Sequence, residues 1–270
     1  MADVNLVEAV NLALAFELEH DPSVVLLGED IGVNGGVFRA TVGLQARFGA
    51  QRVIDSPLAE AALAGTAIGM AAVGLKPVVE IQFSGFIYPA IDHVLNHAAR
   101  LRHRTRGRLS CPMVIRSPCG GGIHAPEHHS ESPEALFTHI PGLRVVVPSS
   151  PARAYGLLLA AIRDPDPVIF FEPTRLYRVF RQPVDDTGEA LPTPALAEQY
   201  AVLVEHYHRM LDHYGRDTGM KMARKHLGWY TKGLHGSAEF RNFANFIDDP
   251  NQVLGEIERF YAPVLLQQAA

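Results

Sequence analysis

Two short stretches of the sequence place acid, base or metal-binding side chains where they could do chemistry. In DSPLAEAALAG, residues 55–65, Glu60 falls in the first turn of a predicted helix, near the positive end of its dipole. A carboxylate there can cap the helix or serve in acid–base chemistry, and the spacing alone favours capping. In HAPEHHS, four side chains are potential metal ligands: His124, Glu127, His128 and His129. Loop histidines without a distant further ligand seldom hold a metal specifically, so a metal site is the weaker interpretation.

Three neighbouring segments have spacings that also invite a functional interpretation. QFSGFIYP supplies Phe83, Phe86 and Tyr88, which spacing alone predicts to be core residues of an α/β domain. GGGI, residues 120–123, is predicted to be a flexible connection, because it lacks the strand–GxGxxG–helix context of a phosphate loop. The arginines of residues 100–108 favour a solvated helix end at an oligomer interface over an RNA-binding surface.

The composition is that of an ordinary globular protein. The 270 residues are 47% hydrophobic and 20% charged, with a formal net charge of −5, so the whole chain is not predicted to bind nucleic acid or membranes. Cys111 and Cys119 match no zinc spacing and cannot form a disulfide framework. No signal peptide and no run approaching 18 apolar residues is recognised. We therefore expect a cytoplasmic protein without a metal site.

Short apolar runs alternate with helical patterns over the first part of the chain. This alternation predicts an α/β domain with a doubly wound, mostly parallel sheet over residues 1–178. The predicted strands are 24–27, 52–54, 78–83, 113–116, 144–147 and 168–171, and the predicted helices are 6–19, 57–73, 87–104 and 151–163. Ser56-Pro57 and Ser150-Pro151 each place a capping hydroxyl before a first-turn proline, so they predict where two of these helices begin.

The pattern changes after Tyr177. Residues 179–194 contain prolines and no periodicity, and we predict a linker there. Residues 195–270 show helical stripes only, one of them ending at Gly215 and another beginning at Asp249-Pro250. The sequence therefore predicts a small all-α domain after the linker.

Five motifs, in order, closely resemble the beta subunit of the thiamine-diphosphate-dependent decarboxylase of 2-oxo acid dehydrogenase complexes. They are DSPLAEAALAG, EIQFSGFIYPAIDHVLNHAAR, HHSESPEALF, PGLRVVVPSSP and PVIFFEPTRLYR. The resemblance spans about residues 4–191, and the EIQF and FFEP versions look more like the branched-chain type. It implies a pyrimidine-binding domain and oxidative decarboxylation of a 2-oxo acid, with acyl transfer to a lipoyl group.

The resemblance implies roles for five residues. The carboxylate that hydrogen-bonds the pyrimidine ring nitrogen of the cofactor, and so favours the tautomer that serves as base, would be Glu60. Phe83, Phe86 and Tyr88 would wall the pyrimidine. His129 matches the active-site histidine that borders the substrate and can donate protons near neutral pH.

The resemblance also implies partners. The sequence contains no GDG motif of the kind that holds the diphosphate through Mg²⁺ in this family. An alpha subunit is expected to supply the Mg²⁺-diphosphate half of the site, in an assembly with a second copy of this chain. The family's second α/β domain, which docks the lipoyl acyltransferase, is not recognised after residue 191, so that docking is in question.

From about Pro194 onward the sequence resembles a different family, the C-terminal helical domain of tRNA-dihydrouridine synthases. The matching motifs are LAEQYAVLVEHYHRMLDHYG, ARKHLGWYTKGL and GSAEFRN. That resemblance implies weak tRNA contact in which phosphates meet four basic residues: Arg224, Lys225, Lys232 and Arg241. His226, Trp229 and Tyr230 could pack or stack on RNA, and for Trp229 and Tyr230 the favoured interpretation is the core of a small helical bundle.

The chain therefore resembles parts of two families joined near residues 191–194. A gene fusion or deletion, an artificial chimera and an assembly error would each produce this junction. Three hypotheses follow from it: a decarboxylase subunit, a tRNA-binding helical module on an inactive α/β scaffold, and a hybrid without function.

Overall fold

The computed structural model describes residues 1–189 and 194–268, and it divides into two compact units. The first unit is Met1–Leu191 and the second is Pro192–Ala270. The first unit thus extends past residue 178, where the sequence places the domain boundary. Part of the predicted junction, residues 190–193, lies outside the described residues.

A six-stranded parallel sheet forms the centre of the first unit. Its strands are β2 (Val24–Gly28), β3 (Val53–Asp55), β4 (Lys76–Glu80), β5 (Val114–Cys119), β6 (Arg144–Val146) and β7 (Val168–Pro173). They lie in the order β3-β2-β4-β5-β7-β6, and every neighbouring pair is parallel. All six predicted strands, and the predicted doubly wound α/β fold, are confirmed.

Helices cover both faces of this sheet, and each face has its own hydrophobic core. The helices are α1 (Leu6–His20), α2 (Leu44–Phe48), α3 (Glu60–Ala72), α4 (Leu101–Arg104), α5 (Glu134–Thr138) and α6 (Pro151–Arg163). One core joins α1 and α6 to the sheet. The other joins α3 and the segment after β4 to the opposite face. Because both faces are covered, the strands are continuous apolar runs rather than alternating ones.

One of the two predicted helix starts is confirmed and the other is wrong. The Ser150 hydroxyl accepts a hydrogen bond from the amide of Arg153 at 3.3 Å and caps α6. Ser56 caps nothing, and α3 begins only at Glu60. The amide of Ser56 donates instead to the carbonyl of Gly28 at 2.9 Å, which keeps this residue bound to the end of β2.

The predicted helix 87–104 is not a single α-helix. Residues 84–90 form a 3₁₀ helix, residues 93–97 a π turn and residues 98–100 a second 3₁₀ turn before the short α4. Pro89 lies inside the 3₁₀ helix of residues 84–90 and has no amide hydrogen to donate. Regular α-helical hydrogen bonding therefore cannot continue through it. The segment stays helical in outline, but its hydrogen-bonding pattern changes four times between residues 84 and 104.

The predicted linker contains a strand that the sequence pattern missed. Strand β8 (Gln182–Val184) pairs antiparallel with the N-terminal strand β1 (Ala2–Val4). Arg181, next to β8, strengthens this pairing, since its guanidinium donates to the carbonyl of Asp3 in β1 at 2.5 Å. Two three-residue strands have no detectable periodicity, so only their pairing reveals them.

The Asp21 carboxylate couples the stability of the first unit to pH. Its oxygens accept from the hydroxyl of Ser23 at 2.5 Å and lie 2.9 Å from Nζ of Lys76. Burial raises the pKa of Asp21, but the hydrogen bonds from Ser23 and Lys76 outweigh burial and lower it to about 2. A carboxyl group whose pKa is lower in the folded than in the unfolded state stabilises the folded protein at pH values above its unfolded-state pKa. That stability is lost as the pH falls toward the folded-state pKa.

Replacing Asp21 by asparagine is therefore expected to reduce the free energy of unfolding by about 1–2 kcal/mol near neutral pH, after allowance for solvent screening. The difference from the wild type should shrink as the pH falls from about 4 toward 2. Urea unfolding at a series of pH values measures it. Lys76→Met should reproduce part of the loss, and a loss that does not vary with pH would contradict the assignment.

The second unit consists of helices only within its described residues. They are α7 (Leu196–Tyr214), α8 (Arg216–Tyr230), α9 (Ser237–Ala244) and α10 (Pro250–Gln268), around one apolar core. Gly215, at φ +79°, separates α7 from α8, and the predicted start of α10 at Pro250 is confirmed. A Cβ at Gly219 would lie 2.4 Å from the carbonyl oxygen of Met210, so glycine permits the close approach of α7 and α8. The predicted all-α fold is confirmed.

No helix within residues 1–189 and 194–268 combines the length and the apolar character needed to cross a membrane.

Candidate functional site

A cavity of about 350 Å³ opens at the carboxyl edge of the sheet. Glu60, the first residue of α3, lines it together with Phe86 and Tyr88 from the 3₁₀ segment after β4. The remaining lining residues are Leu58, Gly85, Pro89 and His128. In parallel sheets the loops at the carboxyl ends of neighbouring strands converge, and ligands bind in the crevice between them. Three of the residues predicted from the sequence therefore share one cavity.

The other two residues to which the resemblance assigns a role, Phe83 and His129, form an aromatic cluster with Phe86 beside this cavity. The ring of Phe83 lies 5.8 Å from that of Phe86 and 4.4 Å from the imidazole of His129. The ring of Phe86 lies 5.3 Å from the same imidazole. These are edge-to-face contacts, which hold rings at defined angles. Phe86 therefore links His129 to the cavity that contains Glu60.

The loop carrying His129 is fixed by hydrogen bonds. Nδ1 of His129 lies 3.0 Å from the carbonyl oxygen of Glu127, and a carbonyl only accepts, so Nδ1 carries the hydrogen and Nε2 is an acceptor in the neutral ring. The hydroxyl of Ser84 donates to the carbonyl of Glu131 at 2.8 Å and ties the loop to the 3₁₀ segment.

Gly85 is required for this loop to lie where it does. A Cβ at position 85 would come within 2.3 Å of the carbonyl oxygen of His128. His128 itself has a left-handed backbone, at φ +73°, which is uncommon for a residue with a side chain. No pattern along the chain predicts His128 in the cavity, since only the close approach of its backbone to Gly85 brings it there.

A second carboxyl group lies near Glu60. Burial raises the pKa of Glu29, and the negative charges of Asp30 and Glu60 raise it further. Glu29 directly follows β2, the strand between β3 and β4, and this position at the carboxyl end of a central strand was the signal that could have identified it. It is not among the residues predicted from the sequence.

Tyr88 is the most exposed of the five predicted cofactor-site residues. It is 37% exposed, and its hydroxyl donates to Oε2 of Glu131 at 3.3 Å. Burial and the Glu131 carboxylate both raise the pKa of Tyr88, so its hydroxyl stays protonated and acts as a donor.

A buried charge network underlies the carboxyl edge of the sheet, and none of its members was predicted from the sequence. Nε of Arg116 donates to Glu172 at 2.7 Å and its Nη1 to Glu80 at 2.8 Å, while the hydroxyl of Tyr177 donates to Glu172 at 2.6 Å. Burial raises the pKa values of Glu80 and Tyr177, and the carboxylate of Glu172 raises that of Tyr177 further. The ring of Phe38 lies 5.1 Å from Tyr177 and 5.5 Å from Phe83, so the network supports the aromatic cluster.

The second unit contains a basic groove. All four predicted phosphate contacts line a concavity of about 570 Å³ together with Trp229. Trp229 is 61% exposed, and Nζ of Lys225 lies 5.8 Å from the centre of its ring. The interpretation of Trp229 as a core residue is therefore wrong. Tyr230, in contrast, is half-buried against the helical core, where its hydroxyl lies 3.2 Å from Nδ1 of His206.

The four basic residues of the groove are not equivalent. Arg224 donates to the carbonyl of Ile247 at 3.0 Å and pairs with Asp248 at 3.2 Å, so it also holds the helices together. Lys225 and Lys232 lie on either side of Trp229 along the chain and are the residues whose charge can be changed with the least structural cost.

In the part of the chain that the structure describes, no group of three or more His, Cys, Asp or Glu side chains is arranged to hold a metal ion.

Comparison with known proteins finds matches to two family models along the chain. The family model "Transketolase, pyrimidine binding domain" matches residues 2–179, more than half of the length, and the chain belongs to this family. The model "Dihydrouridine synthase" matches residues 173–264. Both resemblances expected from the sequence are therefore confirmed, as is the joining of parts of two families in one chain.

The relatives of the first part are dehydrogenase beta subunits. The chain is 57% identical to "Pyruvate dehydrogenase E1 component subunit beta" of Acholeplasma laidlawii over 68% of this chain and 56% of the relative. It is 48% identical to "2-oxoisovalerate dehydrogenase subunit beta" of Bacillus subtilis over 71% of this chain and 59% of the relative. The chain thus spans a little more than half the length of the curated relatives it matches.

One solved structure has a similar fold. It is described as "Split gene transketolase, inactive beta4 tetramer" and aligns with a TM-score of 0.51 and 22% identity, over 63% of this chain and 51% of that chain. At this identity the likeness supports the α/β fold alone.

Proposed function

We propose that this chain acts as the beta-subunit part of a thiamine-diphosphate-dependent 2-oxo acid dehydrogenase. The observation that carries the proposal is the grouping of Glu60, Phe86 and Tyr88 around one cavity, with His129 packed on Phe83 and Phe86 beside it. Its volume of about 350 Å³ lies in the range of small-molecule sites. The family match and the beta-subunit relatives support the same function.

The residues of the cavity fit the pyrimidine end of the cofactor. A pyrimidine ring needs flat apolar contacts on its faces and a hydrogen-bonding group at a ring nitrogen, and this cavity offers Phe86, Tyr88 and a carboxylate. Glu60 would hold the ring nitrogen and share its proton. Phe83 and Phe86 would fix the position of the ring, and Tyr88 would close the outer side.

Bound thiamine diphosphate would supply a thiazolium carbon that becomes nucleophilic on loss of its proton and can take up the electron pair left by decarboxylation of a 2-oxo acid. Glu60 would favour the tautomer of the aminopyrimidine that acts as base, by holding a proton at the ring nitrogen. His129 donates through Nδ1 to loop carbonyls, so Nε2 would be the atom that accepts a proton from the substrate or returns it.

We infer that the complete site needs other chains. An alpha subunit would hold Mg²⁺ and the diphosphate, and a second copy of this chain would complete the assembly. The reaction would be oxidative decarboxylation of a branched-chain 2-oxo acid, with acyl transfer to a lipoyl group. A cytoplasmic location is part of the same proposal.

Co-expression with the alpha subunit of a close relative tests the proposal. The complex is expected to decarboxylate 2-oxo acids with an artificial electron acceptor, and to use 2-oxoisovalerate better than pyruvate. A stable complex without decarboxylation of either acid would refute the enzymatic function, whereas a preference for pyruvate would refute only the substrate.

The basic groove of the second unit supports a second candidate function, contact with tRNA. Arg224, Lys225, Lys232 and Arg241 present positive charge in one concavity, and the exposed ring of Trp229 offers a surface on which a base can stack. Contacts to phosphates do not depend on the nucleotide sequence, and they weaken as the salt concentration rises.

The double variant Lys225→Glu plus Lys232→Glu is expected to lose tRNA binding at low salt. For the wild type, with a few phosphates neutralised, affinity should fall about tenfold to a hundredfold between 50 and 200 mM salt. Fluorescence anisotropy with labelled tRNA measures both effects.

The matched control is Arg209→Glu plus Lys221→Glu, which makes the same change in charge at exposed positions of α7 and α8 outside the groove. Equal losses in the two double variants would mean that binding follows net charge and that the groove has no special part. Absence of wild-type binding at low salt would end the tRNA hypothesis.

A further inference from the structure

A second cleft in the first unit has a lining that the proposed decarboxylase chemistry does not use. It has a volume of about 530 Å³ and lies between the loop after β5 and the residues after β7, with Phe38 as a third wall. Among the described residues that line it there is no carboxylate, but there are three basic side chains: His124, Arg175 and Arg178. It shares no lining residue with the cavity that contains Glu60.

The two loops that form this cleft are joined to each other. The hydroxyl of Thr174 donates to the carbonyl of Cys119 at 2.6 Å, so the ends of β5 and β7 are held together at the base of the cleft. A Cβ at Gly122 would lie 2.9 Å from Cγ of Arg175, so the stem of Arg175 lies directly on the glycine backbone. Only glycine permits this contact. A Cβ at this position would clash with Arg175, and a φ of +132° is one that residues with a side chain rarely adopt.

The guanidinium of Arg178 is positioned in advance. One of its nitrogens donates to the carbonyl oxygen of Phe38 at 2.7 Å, which fixes the side chain along the wall of the cleft. A guanidinium has five N–H donors in a plane, so several remain for a ligand. Because the side chain is already ordered, a ligand meets a smaller entropy cost on binding.

The cleft also has apolar surface. Phe38 is half-buried under it, where its ring contacts Tyr177, and the side chain of Val179 at the rim is 69% exposed. An inorganic ion would leave this surface in water. A ligand that carries an apolar group next to its charge would cover it and gain about 25 cal/mol for each Å² removed from water.

We propose that this cleft binds a small organic oxyanion, a phosphate monoester or a carboxylate with a short apolar group, between Arg175 and Arg178. Planar guanidinium groups recognise both oxyanions through paired hydrogen bonds, and His124 adds a third nitrogen-bearing side chain to the lining. The apolar part of the ligand lies on Phe38. The ring of Phe38 contacts Phe83 at 5.5 Å, so the ligand would sit one aromatic residue away from the cluster that contains His129.

Titration of the full 270-residue chain with phenyl phosphate, phenylacetate and inorganic phosphate tests the proposal by NMR. Phenyl phosphate or phenylacetate is expected to shift the backbone amides of residues 120–124 and 174–179, and to bind more tightly than inorganic phosphate. The tighter of the two organic anions identifies the charged group that the cleft prefers. The experiment needs no alpha subunit and no turnover, so it can fail or succeed independently of the decarboxylase function.

Arg175→Gln is expected to weaken the organic anion about tenfold, the usual effect of losing hydrogen bonds to a charged group. Arg153→Gln changes an arginine on α6 that does not line the cleft, makes the same change in charge and should have no such effect. Phe38→Ala should reduce the affinity for phenyl phosphate to that for inorganic phosphate, while the backbone carbonyl that holds Arg178 remains.

Three results would overturn the proposal. The first is the absence of binding at about 10 mM ligand, a concentration that would reveal even millimolar dissociation constants. The second is an equal effect of Arg175→Gln and Arg153→Gln, and the third is amide shifts confined to the basic groove of the second unit.

Discussion

Replacing Glu60 by glutamine is expected to lower the decarboxylation rate of the co-expressed complex by about 10²–10⁴-fold, the usual contribution of a positioned proton-transfer group. Glutamine keeps the size of the side chain, but its amide cannot exchange a proton with a ring nitrogen as a carboxyl group can. The loss should appear in both kcat and kcat/KM, because the interaction matters most in the transition state. The measurement is steady-state decarboxylation with an artificial electron acceptor.

The matched control is Glu134→Gln. Glu134 also occupies the first turn of a helix, α5, but it does not line the cavity of Glu60. If helix capping were the only role of Glu60, the two variants would lose similar, small amounts of stability and retain their activity. A Glu60→Gln complex within about twofold of wild-type activity would exclude Glu60 from the reaction.

Replacing Arg116 by methionine is expected to destabilise the first unit by about 3–5 kcal/mol, more than the loss expected for Asp21→Asn. Arg116 is 2% exposed and is the cation that compensates Glu80 and Glu172, which are also buried. Without it, two carboxylates remain in the interior with Tyr177 as the remaining donor. Such groups either carry a large desolvation cost or become protonated.

The stability of this variant should also depend on pH. Burial already raises the pKa of Glu80 in the wild type, and removal of Arg116 removes the charge that opposes this rise. A carboxyl group whose folded pKa is raised binds more protons in the folded state than in the unfolded state. The stability of Arg116→Met should therefore recover as the pH falls toward the unfolded-state value for glutamate, about 4.3.

Hydrogen exchange of the β4, β5 and β7 amides measures the stability lost in Arg116→Met, since those strands carry Glu80, Arg116 and Glu172. The fluorescence of Trp229, the single tryptophan, is unsuitable because it reports on the second unit. Arg102→Met is the control: Arg102 pairs with Asp166 at 2.7 Å on the surface, and its loss should cost no more than about 1 kcal/mol. Equal losses for the two variants would show that the buried network contributes no more than a surface ion pair.

Much of the fold was predictable because its signals are local. Continuous apolar runs predicted the six parallel strands, and the capping hydroxyl of Ser150 predicted the start of α6. The start of α3 was mispredicted because a tertiary contact, from the amide of Ser56 to Gly28, competes with a local cap. The β1–β8 pair was missed since two strands of three residues become stable only by meeting across the whole domain.

The sequence by itself determined the two family resemblances, the candidate carboxylate Glu60 and the aromatic residues beside it, because these depend on the order of residues along the chain. The tertiary structure decided which side chains share a space. It placed His128 in the cavity through the close approach of Gly85, put Glu29 near Glu60, and paired Arg116 with carboxylates from two other strands. The physical reason is that burial and electrostatic pairing depend on distances in space, and these arise only when separate strands align in one sheet.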